Sequence, residues 1–260
     1  MGVPHAVMSD VARIVPDEEV DKNAPWNPDV VRIVCVSDTH AMHDQVRLPS
    51  GDILVHTGDF SMLGRENEVI SFNNWLGKIP FKHKIIVAGN HEVTFDAEHR
   101  ESLKNRFGFL DNPTSQEIKA LLTNCTYLED SGCEAEGLKF YGTPHQPVYY
   151  DWGFNRKSEE RKILFGKIPT GTDVVLCHGP PYKILDKCVD GFLAGCKILR
   201  EELLTRVKPQ LMAFGHIHED HGTIKIDGTI FANAANCNYQ YKCVQRPIVI
   251  DIPRKKVVKK

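Results

Sequence analysis

The chain has 260 residues and a mass of 29.4 kDa, room for one large domain or two small ones and enough to bury a core without staples. Hydrophobic residues make up 42%, charged residues 25% and aromatic residues 8%, which excludes collagen-like, disordered and disulfide-scaffold proteins. The 32 basic residues nearly balance the 34 acidic ones, and a net charge of -2 supplies no broad positive field for a polyanion or an acidic membrane.

Residues 1–28 contain Pro4, Pro16, Pro25 and Pro28 and the acidic patch Asp17, Glu18, Glu19, without a sustained apolar period. They are expected to form a flexible N-terminal arm. From Val30 to Val36 a β-branched run reads as a strand buried on both faces. Similar runs at 52–56, 84–88, 138–141, 173–177 and 210–214 predict a layered α/β body. Val69, Phe72, Leu76 and Ile79, with Trp75 beside them, fall at helical intervals and predict a helix ending near Pro80. Two further helices are expected, one after Pro113-Thr114-Ser115 and one through Leu199, Leu203 and Val207 before Pro209. In the last third, runs at 223–226, 229–232 and 248–252, the first two joined by Asp227-Gly228, predict a second, antiparallel-rich sheet. One domain over 29–253 is the expectation. The basic tail at 254–260 reads as a solvated end, with nuclear import or weak anion contact as alternatives.

The eight cysteines include no C-x-x-C pair: Cys125 and Cys133 are eight apart, as are Cys188 and Cys196. With no secretory leader in view they read as reduced, packed thiols, and the expected location is the cytoplasm. Outside a secretory route the Asn124-Cys125-Thr126 glycosylation match carries little weight. Ala6 stands where a myristoylation motif after Met1-Gly2 wants Ser or Thr. No apolar run reaches the ~18 residues of a membrane span.

Side chains able to hold metal fall just after these strands, where ligands gather in open α/β sheets. Ser37-Asp38-Thr39-His40 follows the first run, and two residues apart in an extended segment would put Asp38 and His40 on one side. Thr57-Gly58-Asp59 follows the second, Gly89-Asn90-His91-Glu92 the third, His178-Gly179-Pro180-Pro181 the fifth and Gly215-His216-Ile217-His218 the sixth. Mixed oxygen and imidazole donors suit first-row divalent ions better than Ca²⁺ or a structural zinc. Even without His91 the donors outnumber those of one tetrahedral site, so two ions ~3.5 to 4 Å apart sharing a carboxylate are implied.

These blocks resemble those of the calcineurin-like metallophosphoesterases. The resemblance is closer still to the small metallophosphoesterase-domain-containing phosphodiesterases first known from brain, which also share Phe72-Asn73-x-Trp75-Leu76-Gly77, Leu121-Leu122-Thr123-Asn124 and Phe214-Gly215-His216-Ile217-His218-Glu219. It covers the chain from about Val30 to Pro253. It implies a four-layer α/β/β/α sandwich of two mixed sheets with the metal centre at the C-terminal ends of the strands. It further implies Asp38, His40 and His218 on one metal, Asn90, His178 and His216 on the other, and Asp59 as the bridge. His91 would be a non-ligand histidine against the scissile phosphate, its ring oriented by Glu92.

Such a centre would hold two divalent transition ions, manganese first, with iron, zinc or magnesium as alternatives. They would lower the pKa of a bridging water so that hydroxide attacks phosphorus in line. Asn90 and His91 would stabilise the developing charge, and His91 would protonate the leaving oxygen. No Walker loop is present. The expected activity is hydrolysis of small phosphodiesters, with cyclic nucleotides as the class the resemblance suggests. Alternatives are a phosphomonoesterase or protein phosphatase, a nuclease, or a weakly active nucleotide-binding scaffold. His43, His145 and His221 flank the blocks as substrate contacts or as hydrogen-bonded histidines, and His56 is expected on the opposite strand face. The segment Tyr149-Tyr150-Asp151-Trp152-Gly153-Phe154-Asn155 reads as a lid, a base-stacking wall or ordinary loop packing. Phe60 and Phe95 carry the same ambiguity.

Overall fold

A computed structural model describes residues 11–21 and 27–255. Its first sheet comprises β1 (Arg13–Ile14), β2 (Val30–Val36), β3 (Ile53–His56), β4 (His83–Ile86), β5 (Thr126–Tyr127) and β12 (Ile248–Pro253), in the order β1-β12-β2-β3-β4-β5. The second comprises β6 (Ser131–Ala135), β7 (Leu138–Thr143), β8 (Val174–Cys177), β9 (Leu211–Phe214), β10 (Gly222–Ile226) and β11 (Thr229–Asn233), in the order β10-β11-β9-β8-β7-β6.

Strand alternation explains the layering. Val31, Ile33 and Cys35 of β2 point to one face and meet Phe140, Val174, Leu176 and Leu211 of the other sheet. Val34 and Val36 point to the opposite face and pack under α2 (Glu66–Lys78) through Val69, Phe72, Trp75 and Leu76. On the far side of the second sheet, Val175, Met212 and Phe214 lie under α5 (Ser158–Gly166), α6 (Lys197–Glu201) and a π-helical turn over Glu202–Val207. The result is helix, sheet, sheet, helix, and each central strand is apolar on both faces because each face meets a layer.

The structure corrects three sequence expectations. Residues 248–252 do not join the second sheet: β12 runs antiparallel to β2, with Ile250 opposite Ile33, and the second sheet is parallel through its centre, β11 to β9 to β8 to β7. Periodicity finds such a strand but not its partner. The arm is not loose over 11–21. Arg13 and Ile14 add β1 to the edge of β12, and α1 (Asp17–Asp21) follows. The buried carboxylate of Asp251 draws this edge in, accepting from Arg13 at 3.0 Å and from Arg32 Nε at 2.7 Å. Residues 1–10 and 22–26 of the arm lie outside the described residues. At the other end Arg254 pairs with Glu136 at 2.6 Å and Lys255 with Asp173 at 2.7 Å, so the start of the basic tail is anchored to the domain. Residues 256–260 lie outside the described set.

Two helices carry no legible apolar period. In α3 (Arg100–Phe107) only Leu103 is buried, and in α5 only Phe165. The helix α4 (Ser115–Ala120) is the one expected after Pro113, and Thr114 caps it by accepting from the Glu117 amide. Because β2, β3 and β4 run parallel, and β7, β8 and β9 likewise, their C-terminal loops open at one end. A backbone bridge from Ser37 to Ala235 joins the two sheets there.

Candidate metal centre

Asp38 and His40 come together for a reason other than strand alternation. Both adopt left-handed backbone, with φ of 52° and 42°, so a tight turn after β2 aims them inward. Asp59 and His216 share this conformation at 52° and 68°. Left-handed non-glycine residues cost on the order of 1–3 kcal/mol each and gather where a site is over-determined by its surroundings.

Three groups of potential ligand atoms result, each spanning no more than 4.8 Å: Asp38 with His40 and His218, His40 with Asp59 and His91, and Asp59 with His178 and His216. His178 Nε2 lies 3.2 Å from Asp59 Oδ2 and 3.0 Å from Asn90 Oδ1. His218 Nε2 lies 3.3 Å from Asp38 Oδ1, and the Asp38 carboxylate also accepts from the His216 amide at 3.0 Å. All seven residues expected as metal ligands, and His91, therefore fall in one cluster.

The donor set fits cations. His178 Nδ1 faces the Thr57 carbonyl at 2.9 Å, His218 Nδ1 the Asn238 carbonyl at 3.1 Å and His91 Nδ1 the Met62 carbonyl at 2.8 Å. A carbonyl only accepts, so each Nδ1 carries the proton and, in the neutral ring, each Nε2 offers a lone pair inward. His40 Nε2 stands 3.2 Å from His218 Nε2, close enough for one cation to take a lone pair from each ring when His40 too carries its proton on Nδ1.

The charges point the same way. Burial resists ionisation of Asp59, yet the neighbouring His178 and His91 outweigh it and hold the carboxyl well below its usual range. Asp38 is lowered likewise, burial being outweighed by His218 and His178. Burial also opposes charge on His178, but Asp59 and Asp38 raise its pKa to about 9. Burial lowers His40 to about 4, and burial with the charge of His178 lowers His216 to about 3.

Glu92 does not orient the His91 ring, which the Met62 carbonyl holds instead. The fully buried Glu92 carboxylate accepts from the amides of Asp59, Ser61 and Gly89 at 2.7–3.0 Å and from Ser61 Oγ at 2.6 Å. It ties the loops after β3 and β4 into one frame. Burial and the charge of Asp59 push its pKa up to about 8 against those donors.

The flanking histidines resolve as structural. His43 packs on Phe72 and Trp75, His145 pairs with Asp130 at 2.8 Å, and the His221 ring meets the Arg246 carbonyl. His56 is in none of the ligand groups; it is buried, bonded to Thr39 and packed on Phe60 and Phe72. Phe60 and Phe95 are core residues. The aromatic segment does reach the site: Trp152 stacks on His91 with ring centres 4.2 Å apart, and Tyr149 meets His216 edge-on at 5.3 Å.

Tyr241 escaped sequence reasoning. Its ring lies 4.8 Å from His40, 5.1 Å from His218 and 6.4 Å from His91. It sits in a polar loop without periodicity, and long-range bonds bring that loop here, from the Asn236 and Cys237 amides to the Ser37 and Asp38 carbonyls and from His218 Nδ1 to the Asn238 carbonyl.

The chain is similar to known proteins. A family model described as "Calcineurin-like phosphoesterase" matches residues 31–220. "Metallophosphoesterase domain-containing protein 1" of Homo sapiens is 40% identical over 259 residues, covering 96% of this chain and 77% of that protein. A UPF0046 protein of Caenorhabditis elegans is 39% identical over 231 residues, covering 86% of this chain and 81% of its own. A solved structure 13% identical superposes with a TM-score of 0.55 over 81% of this chain and 92% of that one, a likeness of fold. No helix among the described residues is long and apolar enough to cross a membrane.

Proposed function

The chain belongs to the calcineurin-like phosphoesterase family, and from that premise we propose that this metal-dependent phosphoesterase acts on small phosphodiesters, cyclic nucleotides among them. The observation that carries the reading is the convergence of Asp38, His40 and His218 beside Asp59, His178 and His216, with Asp59 reaching toward both sides. In this reading Asp38, His40 and His218 would hold one divalent cation, Asn90, His178 and His216 would hold a second, and Asp59 would serve both. Manganese is the first choice, with iron, zinc or magnesium as alternatives. Bound there, such ions activate water at neutral pH and neutralise phosphoryl charge.

The remaining chemistry falls to the protein. His91, its Nδ1 anchored on the Met62 carbonyl, turns Nε2 toward the phosphate and, as the imidazolium with a second proton on Nε2, passes that proton to the leaving oxygen. The Asn90 side chain steadies charge on the equatorial oxygens, and Glu92 keeps the backbone around Asp59 and Gly89 from relaxing. Trp152, Tyr149 and Tyr241 border the pocket on two sides, and aromatic faces accept a planar base. A small substrate accords with the net charge of -2, which supplies no track for a strand. The cytoplasm is the proposed location, in keeping with eight free cysteines.

The test compares Mn²⁺-loaded protein on bis-p-nitrophenyl phosphate, p-nitrophenyl phosphate and a panel of cyclic and linear nucleotides. Diester kcat/KM is expected to exceed monoester kcat/KM by about tenfold or more. Preference for the monoester would make the protein a phosphomonoesterase, and nucleotide binding without turnover under any metal would make it a scaffold. A pH dependence follows as well. A proton on His178, retained up to about pH 9, competes with the ion, so apparent Mn²⁺ affinity is expected to rise about tenfold per pH unit from about pH 7 and level off near that value. Chelator-competition titrations check this, and a flat profile would remove His178 from the ligand set.

A further inference from the structure

Two cysteines oppose each other at the base of the loop that carries Tyr241. The Asn238 amide donates to the Lys242 carbonyl at 2.9 Å and the Val244 amide to the Asn236 carbonyl at 3.1 Å. Between these bonds Cys237 and Cys243 form a directly opposed antiparallel pair that exchanges no backbone bond of its own. Residues so placed stand ~4.5 Å apart at Cα, within the ~4.4–6.8 Å that a disulfide spans. Both are free, Cys237 fully buried and Cys243 half-buried. Cys243 also lines an open cavity of about 620 Å³ with Arg47, Gln245 and Arg246, through which a small reagent can approach its sulfur.

The loop is anchored at its base: on the Cys243 side Gln245 Nε2 donates to the His218, Ala235 and Cys237 carbonyls, and the Cys237 side is tied down separately. Asn236 and Cys237 donate to the Ser37 and Asp38 carbonyls at 2.8 and 3.3 Å, which anchors that arm beside the candidate centre. At the tip the amides of Gln240, Tyr241 and Lys242 all donate to Asn238, whose carbonyl also accepts from His218 Nδ1 at 3.1 Å. Tyr241, about half exposed, rests on His40 and His218 from this tip.

We propose that Cys237 and Cys243 are a dithiol–disulfide site whose oxidation closes the hairpin and locks Tyr241 over the candidate metal centre. The oxidant is a small disulfide of the glutathione type. The accessible Cys243 sulfur attacks one sulfur of the oxidant as thiolate, breaking its S–S bond and releasing one thiolate. Cys237, losing its proton, then displaces the second thiolate from the mixed disulfide. Two electrons and two protons pass to the oxidant, which leaves as two thiols. Disulfide formation is independent of the proposed activity, whereas the effect on substrate entry rests on it.

The experiment equilibrates the full-length Mn²⁺-loaded protein with reduced or oxidised glutathione, quenches with acid and counts alkylated thiols by peptide mass mapping. Two thiols are expected to be protected in the oxidised sample, with Cys237 and Cys243 in one cross-linked peptide that dithiothreitol separates. KM for bis-p-nitrophenyl phosphate is expected to rise several-fold on oxidation. Cys243→Ser, which matches the reduced protein in activity, and Tyr241→Ala should each abolish that rise. Full alkylation of both thiols in oxidised glutathione, or protection through other pairings, would overturn the site. A cross-link that leaves KM unchanged, or an equal rise in Cys243→Ser, would overturn control through Tyr241.

Discussion

Replacing Asp59 with asparagine is expected to lower kcat for phosphoester hydrolysis by on the order of 10³-fold or more at saturating metal. The substitution keeps shape and removes charge. Asp59 Oδ1 accepts the His91 amide at 2.8 Å, and an asparagine oxygen can do the same, so the loop after β4 has no reason to move. What disappears is the negative charge shared by the groups containing His40 and His91 on one side and His178 and His216 on the other. Without it the attraction that lifts His178 to about 9 also goes. A Mn²⁺ titration of kcat with a thermal melt on the same sample separates lost chemistry from lost folding. A well-folded variant within tenfold of wild type would remove Asp59 from the bridging role.

The second large effect concerns a residue without a side chain. A Cβ at Gly89 would overlap Asp59 Oδ1 and would stand 2.6 Å from the Asp59 amide and 2.7 Å from His178 Cε1. None of these atoms belongs to a flexible chain end. Asp59 is held through its amide by Glu92, and the His178 ring by the Thr57 carbonyl. Gly89→Ala should therefore push two proposed ligands apart, with a loss of about 10²-fold in kcat/KM and of one bound ion per chain. Metal content after gel filtration and the initial rate on bis-p-nitrophenyl phosphate are the readouts. Two retained ions with a rate within threefold of wild type would mean that the loop relaxes freely, contrary to the frame Glu92 builds.

Sequence reasoning succeeded where local chemistry and tertiary context agree. The run Val30–Val36 reads as a strand buried on both faces, and it lies between two apolar layers. Val69, Phe72, Trp75 and Leu76 form the buried stripe of α2. It failed where position in the fold overrides local pattern. α3 and α5 each bury a single side chain, so their sequences show no period. Asp38 and His40 were expected to share one side of an extended strand, and the actual cause is a left-handed turn. The family resemblance implied that Glu92 orients the His91 ring, whereas its lone pairs serve amides of its own loop and of the loop after β3.

What the sequence by itself determined is the set of central strands, the two-faced apolar character that demands layers, and the identity of the metal-capable side chains that follow those strands. These are local properties, carried by residue type and spacing of two to four positions. Only the tertiary structure decided that β12 pairs with β2, that the arm docks through Asp251, that Glu92 braces the loops, and that Tyr241 covers His40 and His218. Each of these depends on contacts between segments far apart in the chain. Such contacts are set by which buried polar and apolar groups find partners once the layers close, and no period along the sequence records that choice.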